Sequence, residues 1–393
     1  MAEEARGGDL SRLRQLNARA VVRVLRGEPP LTLSEIARRT GLSRASTDDV
    51  VRQLTAQGWV AEAERTAGTI GRPARRYRFC ADAGRVLGVE VGERQVTATV
   101  ADLDGAVTHT ARIAVDASAD RTGRLAAVDE AARQARSAAT AELGPGGIWA
   151  TGVATPGLVD ADGRVAVCDD LPDWTGVDLR ARLARSVPGT VLVDTLGNLA
   201  ALAESWRGAA HHAEHAICLY AGPTTGAGLI IGGAVHRGFG NAAGQIGALP
   251  AAGWERARRR VRDWRPTTAG SGPADDADAG AVDVFTAARA GDRSAVNTVR
   301  AYARDLGAGT AALVLTLDPQ LLVLSGGFAD QPEAVTAPLR RELTRRCLRA
   351  PEILVSPLGE RAVVLGAVRL ALDHVRGLGV GGPLSSSPPS PPG

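Results

Sequence analysis

The 393-residue sequence predicts a small winged helix-turn-helix (helices with a β-hairpin wing) followed by a larger α/β body. Three observations carry this. Two short amphipathic segments flank a glycine turn at Gly41. An alternating hairpin with an arginine-rich tip follows them. From Gly84 onward, β-branched runs feed Ala/Leu-rich helical stretches through polar turns, a pattern of α/β proteins.

Composition narrows the class. Hydrophobic residues make up 45% of the chain, enough for more than one core, but aromatics are only 3%, so aliphatic packing must dominate. There is no lysine, and all 46 basic residues are arginine, which fits GC-rich coding rather than a choice of guanidinium geometry at each site. Cys80, Cys168, Cys218 and Cys347 stand far apart and form no CxxC, as expected in a reducing cytoplasm. No apolar run reaches about 18 residues, and MAEEARGGDL lacks a leader's apolar core, so neither membrane span nor secretion is expected. The net charge of +3 is uneven: residues 1–80 carry 15 arginines against nine acidic residues, a basic head suited to a polyanion.

Each element of the head has a local cause. Leu13, Leu16, Ala20 and Val24 recur at helical spacing, and Gly27 with Pro29-Pro30 stops that helix. Ser34 to Arg39 form a second helix with Ile36 and Ala37 inward. Ser43 is a good N-cap for a third, whose apolar face is Val50, Val51 and Leu54 and which Gly58 ends. This third helix is the one that enters a major groove by its N-terminal end. Ser43, Arg44, Ser46 and Thr47 are the expected base readers, with Arg52 further along. The stretches WVAEAER and ARRYRF then alternate as hairpin strands. At the tip, Gly71 and Pro73 hold Arg72 outward, with Arg75 and Arg76 behind it as phosphate or minor-groove contacts. Asp48 and Asp49 resist this reading unless they contact cytosine, cap, or pair with Arg44 or Arg52.

In the body, residues 84–107 read as strands around turns at Gly92–Arg94 and Asp104-Gly105. A helix follows over Leu125–Leu143. GIWATGVATPGLVDADGRV reads as a strand, a Pro-Gly turn and a hairpin. VLVDTLGNLAALAE is a strand feeding a helix. AICLYAGPTTGAGLIIGGAVHRG supplies two strands about a Gly/Thr turn. Arg265 to Gly280 reads as loop. Two helices then lead to LDPQLLVLSGG, and EILVSPLGERAVVLGAVRLALDHV is the last strand-to-helix unit. The tail GGPLSSSPPSPPG lacks the apolar residues to pack and is expected to be disordered.

In order and spacing these pieces resemble the ROK family of repressors, open reading frames and sugar kinases. The resemblance spans about residues 10–375 and rests on TGLSRAST, the GRP of the wing, GVEVG, DLDG, ATPGLVD, LPDW, VDTLGN, GAGLIIGG, GNAAGQIG, DPQLLVLSGG and LGAVRLAL. It implies an actin/hexokinase-like (ribonuclease H-like) body, with two lobes around a cleft for sugar and nucleotide. A helix-turn-helix ahead of that cleft is the arrangement of the repressor branch. The expected units are a DNA-binding head (1–80), an effector and dimerisation body (81–375) and a tail (376–393).

The same resemblance exposes departures. Where family kinases resemble D-x-G-G-T, this chain has Glu90-Val91-Gly92-Glu93-Arg94, which sets a carboxylate where phosphate would lie. The second phosphate turn includes Pro223, which has no N–H to donate. Where E-N-D-A-N places a catalytic aspartate, the chain reads Asp194-Thr195-Leu196-Gly197-Asn198. Leu196 accepts no proton, and Asp194, two residues earlier, should point elsewhere. The family's G-E-I-G-H is Gly244-Gln245-Ile246-Gly247-Ala248. The stretch after it holds no Cys or His where family members place a zinc cluster, so no metal is expected.

Four lesser motifs carry bland readings. HHAEH at His211–His215 lies in a link rather than on the helix a zinc peptidase needs. GFGNAAG lacks the βαβ setting of a dinucleotide loop. Arg258 to Arg260 read as a solvated face, and Ser325-Gly326-Gly327 as a structural turn.

The sequence therefore predicts a cytoplasmic transcriptional regulator, a repressor, without enzymatic activity or cofactor. Its expected partners are double-stranded operator DNA, a second copy of itself (a homodimer or a dimer of dimers) and a small effector, a sugar or related metabolite. Asp170, Thr195, Asn198 and Gln245 are expected to line the effector site. Two alternatives stand beside it: a sugar kinase with a regulatory head, against which Leu196 and Pro223 argue, and a ligand-independent dimeric regulator.

Overall fold

The computed structural model describes residues 4–63, 74–144, 147–221, 224–266, 284–330 and 332–378. In the head, helix α1 spans Glu4–Leu25, strand β1 Leu31–Thr32, α2 Leu33–Thr40 and α3 Arg44–Ala56. Strands β2 (Val60–Glu62) and β3 (Arg76–Phe79) follow. Thr32 caps α2 reciprocally: its hydroxyl accepts from the Glu35 amide while the Glu35 carboxylate accepts from the Thr32 amide. Gly41, at φ +74°, closes α2 in a left-handed conformation and starts the turn. Strand β3 pairs antiparallel with β2 and also with β1, so the wing gains a third strand; residues 64–73, which hold the end of WVAEAER and the tip, lie outside the described residues.

The inward face of α1 differs from the expected one. Leu13 and Leu16 are more than half exposed, whereas Ala18, Val21 and Leu25 are buried. The stripe and the buried face both have helical spacing, so periodicity alone did not select between them.

The first lobe holds β4 (Arg85–Val91), β5 (Gln95–Asp102), β6 (Val107–Ala114), α4 (Arg121–Leu143) and β7 (Ile148–Thr155). The short strands β8 (Leu158–Val159) and β9 (Val165–Val167), helix α5 (Leu179–Leu183) and β10 (Thr190–Thr195) complete it. Helix α6 (Leu196–Arg207) leads to β11 (His215–Ala221), β12 (Gly226–Ile231) and β13 (Ala234–His236). Then come α7 (Trp254–Arg262), α8 (Val284–Arg289), α9 (Arg293–Leu317), β14 (Leu321–Gly326), α10 (Pro332–Arg346), β15 (Glu352–Val355) and α11 (Ala362–Leu378). The reading of 265–280 as loop falls mostly outside the described residues. Helices α7 and α10 were not anticipated, nor was β13 as a separate strand. The start expected for the tail at 376 lies inside α11, and 379–393 lie outside the described residues.

The two lobes repeat one topology. The first sheet has the order β10-β7-β4-β5-β6 and the second β13-β12-β11-β14-β15. In each, an antiparallel meander of three strands is extended by two parallel strands on the side of the first. This is the two-lobed actin/hexokinase-like architecture. Helix α11 follows the second sheet but packs against β4 and β7 of the first. The approach is close enough to require glycine: a Cβ on Gly152 would lie 2.0 Å from the Ala367 carbonyl oxygen, and one on Gly366 1.8 Å from that of Leu199.

Head and body share one apolar cluster. Val21, Leu25, Leu54, Trp59 and Phe79 of the head pack in it with Val86, Leu103, Trp149, Leu372 and Val375 of the body. At its centre Trp59 meets Trp149 edge-on, with ring centroids 4.8 Å apart. Arg26 adds a cation over the Phe79 ring at 4.6 Å and an ion pair with Asp104 at 3.4 Å.

Candidate nucleic-acid interface and effector cleft

The N-terminal end of α3 is built by its cap. Ser43 Oγ accepts from the Ser46 amide at 3.1 Å, and the two serine hydroxyls lie 2.9 Å apart. Thr47 does not join them as a base reader. It is fully buried, and its hydroxyl donates to the Ser43 carbonyl at 2.9 Å, so it serves the helix rather than a ligand. Arg44 is exposed on the first turn, with no partner among the described residues.

The awkward acidic pair has a local answer. Arg52 reaches Asp48 at 2.5 Å and Asp49 at 3.7 Å, so the two carboxylates meet a cation on their own helix in an exposed contact. In the wing, Arg75 pairs with Glu62 at 3.5 Å, an exposed contact that phosphate can displace. Arg76 donates to the Pro30 carbonyl at 2.7 Å and lies 3.6 Å from Glu35, so it ties the wing to α2 and is not the free phosphate contact expected. Arg78, two residues on, is exposed and without a partner among the described residues; the strand's alternation was the signal for it. Gly71, Arg72 and Pro73 lie outside the described residues.

Between the lobes, two cavities meet at Leu196, which lines both. One, of about 350 Å³, is lined among others by Thr155, Asp170, Thr195, Gln245 and Arg258. The other, of about 320 Å³, is lined by Glu90, Glu93, Arg94, Gly326, Gly327 and Glu360. Strand β10 and helix α6 place Leu196 there as the first residue of α6, with Thr195 as the N-cap accepting from the Asn198 amide at 3.3 Å. Pro223 of the second phosphate turn lies outside the described residues.

One of the expected cleft residues, Asn198, needs correction. Asn198 is buried behind the turn, outside both cavities. Its side-chain amide donates to Asp194 at 2.8 Å and to Asn241 at 3.1 Å, so it braces the turn instead of meeting a ligand. Asp170 lines the cavity as expected, and there it accepts from Arg258 at 2.5 Å. Arg258, expected on a solvated face, is only 15% exposed and also holds Glu255 at 2.5 Å, so it forms part of the cavity wall. Thr155 was missed; it sits in ATPGLVD, where its hydroxyl accepts from the buried Trp174 indole at 2.8 Å.

Asp194 points away from both cavities, as the two-residue offset implied. It is buried and accepts from the Thr195 amide at 2.7 Å, from Asn198, and from Arg237 Nε at 2.7 Å. The stretch after Gly247 forms short 3₁₀ turns and α7, anchored by Trp254, whose indole donates to the Leu306 carbonyl at 3.2 Å. Among the described residues no group of three His, Cys, Asp or Glu stands together to hold a metal. His211 and His212 pack against each other with tilted rings in the link between α6 and β11. Gly238 to Asn241 lie in a loop after β13, along a separate groove. The hydroxyl of Ser325 donates to the Leu219 carbonyl at 3.2 Å, within the sheet.

Glu90, in the altered phosphate turn, has its carboxyl pushed up to about 8 by burial; the Tyr220 hydroxyl opposes this and Glu360 adds to it. A carboxyl whose folded value is raised contributes its stability fully below the ordinary carboxylate value and loses it as pH climbs to about 8. Urea unfolding at a series of pH values should therefore show stability falling between about pH 5 and pH 8, where Glu90→Gln should be flatter and more stable at the alkaline end. Parallel profiles for the two proteins would mean that the folded carboxyl is ionised at neutral pH.

Among the described residues no helix is long and apolar enough to cross a membrane. Comparison with known proteins agrees with this geometry. A xylose repressor of Bacillus subtilis (strain 168) is 20% identical over 377 residues, taking in 93% of this chain and 97% of that protein. A solved ROK family transcriptional regulator, a homolog of the E. coli MLC protein, superposes with a TM-score of 0.66 at 19% identity, covering 94% of this chain and 99% of its own. A ROK family glucokinase from Streptomyces griseus, solved with glucose and AMPPNP, superposes at 0.60 with 26% identity, but covers 74% of this chain and 100% of its own. The IclR helix-turn-helix domain model matches residues 17–64, and the ROK family model matches 86–257 and 257–374. That second match takes in well over half of the sequence: the chain belongs to the ROK family, with an IclR-type helix-turn-helix ahead of the ROK body.

Proposed function

We propose that the protein is a transcriptional repressor that binds operator DNA through residues 1–80 and senses a small molecule in the cleft of residues 81–375, without transferring phosphate. The observation that carries the reading is Leu196. It stands where the two cavities meet, the place where phosphoryl transfer needs a carboxylate to receive the hydroxyl proton. Glu93 and Glu360 at the second cavity stand beside Arg94, Arg112 and Arg361, so the reading rests on Leu196 rather than on charge there.

The first cavity suits an uncharged, polyhydroxylated effector the size of a monosaccharide. Its cation, Arg258, is already paired with Asp170 and Glu255, which leaves no free positive charge for a phosphate among the described lining residues. Thr155, Thr195 and Gln245 can exchange hydrogen bonds with hydroxyls. The full-length likeness to a xylose repressor supports this class of ligand and the repressor role. The working form is a cytoplasmic homodimer or dimer of dimers, matching a two-fold operator.

Two measurements test the reading together. Selection from genomic fragments should recover discrete sites that bind more tightly than bulk DNA. A panel of free sugars should give a stabilising thermal shift that Gln245→Ala diminishes, with no sugar-dependent release of ADP from ATP. Sugar-stimulated ADP release that Gln245→Ala abolishes would establish a kinase and overturn the proposal.

A further inference from the structure

A separate cavity of about 530 Å³ lies at the junction of head and body, away from the interlobe cleft. Its wall includes Arg19, Arg23, Arg26, Trp59, Val375 and Arg376, drawn from α1, the start of the wing and the end of α11. Four arginines therefore face one space, and Leu16 and Val22 complete an apolar side. The carboxylates paired with them are Asp104, 3.4 Å from Arg26, and Asp373, 3.4 Å from Arg376. Arg19 donates to the Gly377 carbonyl, and Arg23 has no partner among the described residues.

The cations are crowded. Burial and the charge of Arg376 lower the Arg26 guanidinium to about 10, and Arg376 is lowered by burial and by Arg369. Two N–H groups of wall residues, Trp59 Nε1 and Arg376 Nε, are buried without a hydrogen-bond partner among the described residues, while Arg26 Nε faces Asp104 Oδ1 at 3.4 Å. Buried donors without acceptors are costly, and both of these are donors beside a wall that carries four guanidinium groups. A ligand that satisfies them must bring acceptors and negative charge, and it must also cover Leu16, Val22 and Val375.

We propose that this cavity binds a small organic anion, a carboxylate or phosphate monoester on an apolar body, which bridges α1 and α11. The anionic group lies among Arg23, Arg26 and Arg376, and the apolar body lies against Trp59 and the aliphatic side chains. The volume is within the range of small-molecule sites. This site is distinct from the effector cleft, and its failure leaves the cleft reading intact.

Isothermal titration of the full chain tests it, with phenyl phosphate and benzoate as probes, inorganic phosphate as the bare anion and benzyl alcohol as the neutral body. One equivalent of phenyl phosphate or benzoate should bind, with the tighter of the two identifying the acid group; benzyl alcohol should not bind, and inorganic phosphate should bind more weakly. Arg23→Ala and Arg376→Ala should each weaken binding about tenfold, as loss of a charge-assisted hydrogen bond does. Arg44→Ala and Gln245→Ala should leave it unchanged. Hydrogen exchange should show the probe protecting residues 16–26 and 369–377, a readout that does not depend on the variants. The proposal is overturned if neither anion binds, if binding survives Arg23→Ala with Arg376→Ala, or if Gln245→Ala abolishes it. It is equally overturned if inorganic phosphate binds as tightly as phenyl phosphate.

Discussion

Trp59→Ala should destabilise the protein by about 3–5 kcal/mol and split its thermal unfolding into two transitions. Trp59 and Trp149 are each 4% exposed and hold the centre of the cluster that head and body share. Removing the indole opens a cavity and also breaks an aromatic pair worth about 0.5–1.5 kcal/mol beyond its buried area. Gly84 packs directly on the face of Trp149, so backbone as well as side chains lean on this pair. Scanning calorimetry checks the result: wild type should unfold in one transition and Trp59→Ala in two, the smaller at lower temperature. Two transitions in the wild type would show that the shared cluster does not couple the units.

Arg44→Ala should weaken binding to a selected operator by about 1–3 kcal/mol and flatten its preference over scrambled DNA. Of the basic residues on α3, Arg44 is unpaired among the described residues, whereas Arg52 is held by Asp48 and Asp49. It stands on the first turn, the end of a recognition helix that meets base edges. Thr47→Ala, by contrast, should lower stability with little change in sequence preference, because its hydroxyl serves the helix backbone. Titrations on operator and scrambled duplexes at several salt concentrations separate the outcomes. Equal loss on both duplexes would make Arg44 a phosphate contact rather than a reader of bases.

What was legible in the sequence depended on local chemistry. Ser43, Gly41 and the Val50/Val51/Leu54 face define the helix-turn-helix within about twenty residues, and each did what its type and spacing implied. The place of Leu196, at the start of the helix that VLVDT feeds, was legible because a β-branched strand and an Ala/Leu-rich helix meet there within a few residues. Most arginine roles were not. Arg258 meets Asp170 from 88 residues away and Arg76 meets Pro30 from 46, and these pairings are settled only by the folded chain. The burial of Asn198 was hidden for the same reason, since its partner Asn241 lies 43 residues on. The face of α1 was misjudged because two adjacent stripes share one period, and its choice depends on body residues such as Leu372 and Val375.

That last dependence has a consequence for how the molecule is made. The ribosome delivers the helix-turn-helix first and α11 last, yet Val368, Ala371, Leu372 and Val375 of α11 close the cluster in which the head's own Val21, Leu25 and Trp59 are buried. A nascent or prematurely terminated chain therefore carries a head with an open flank. A chain that stops before α11 should carry a less stable helix-turn-helix and hold operator DNA less tightly than the full chain.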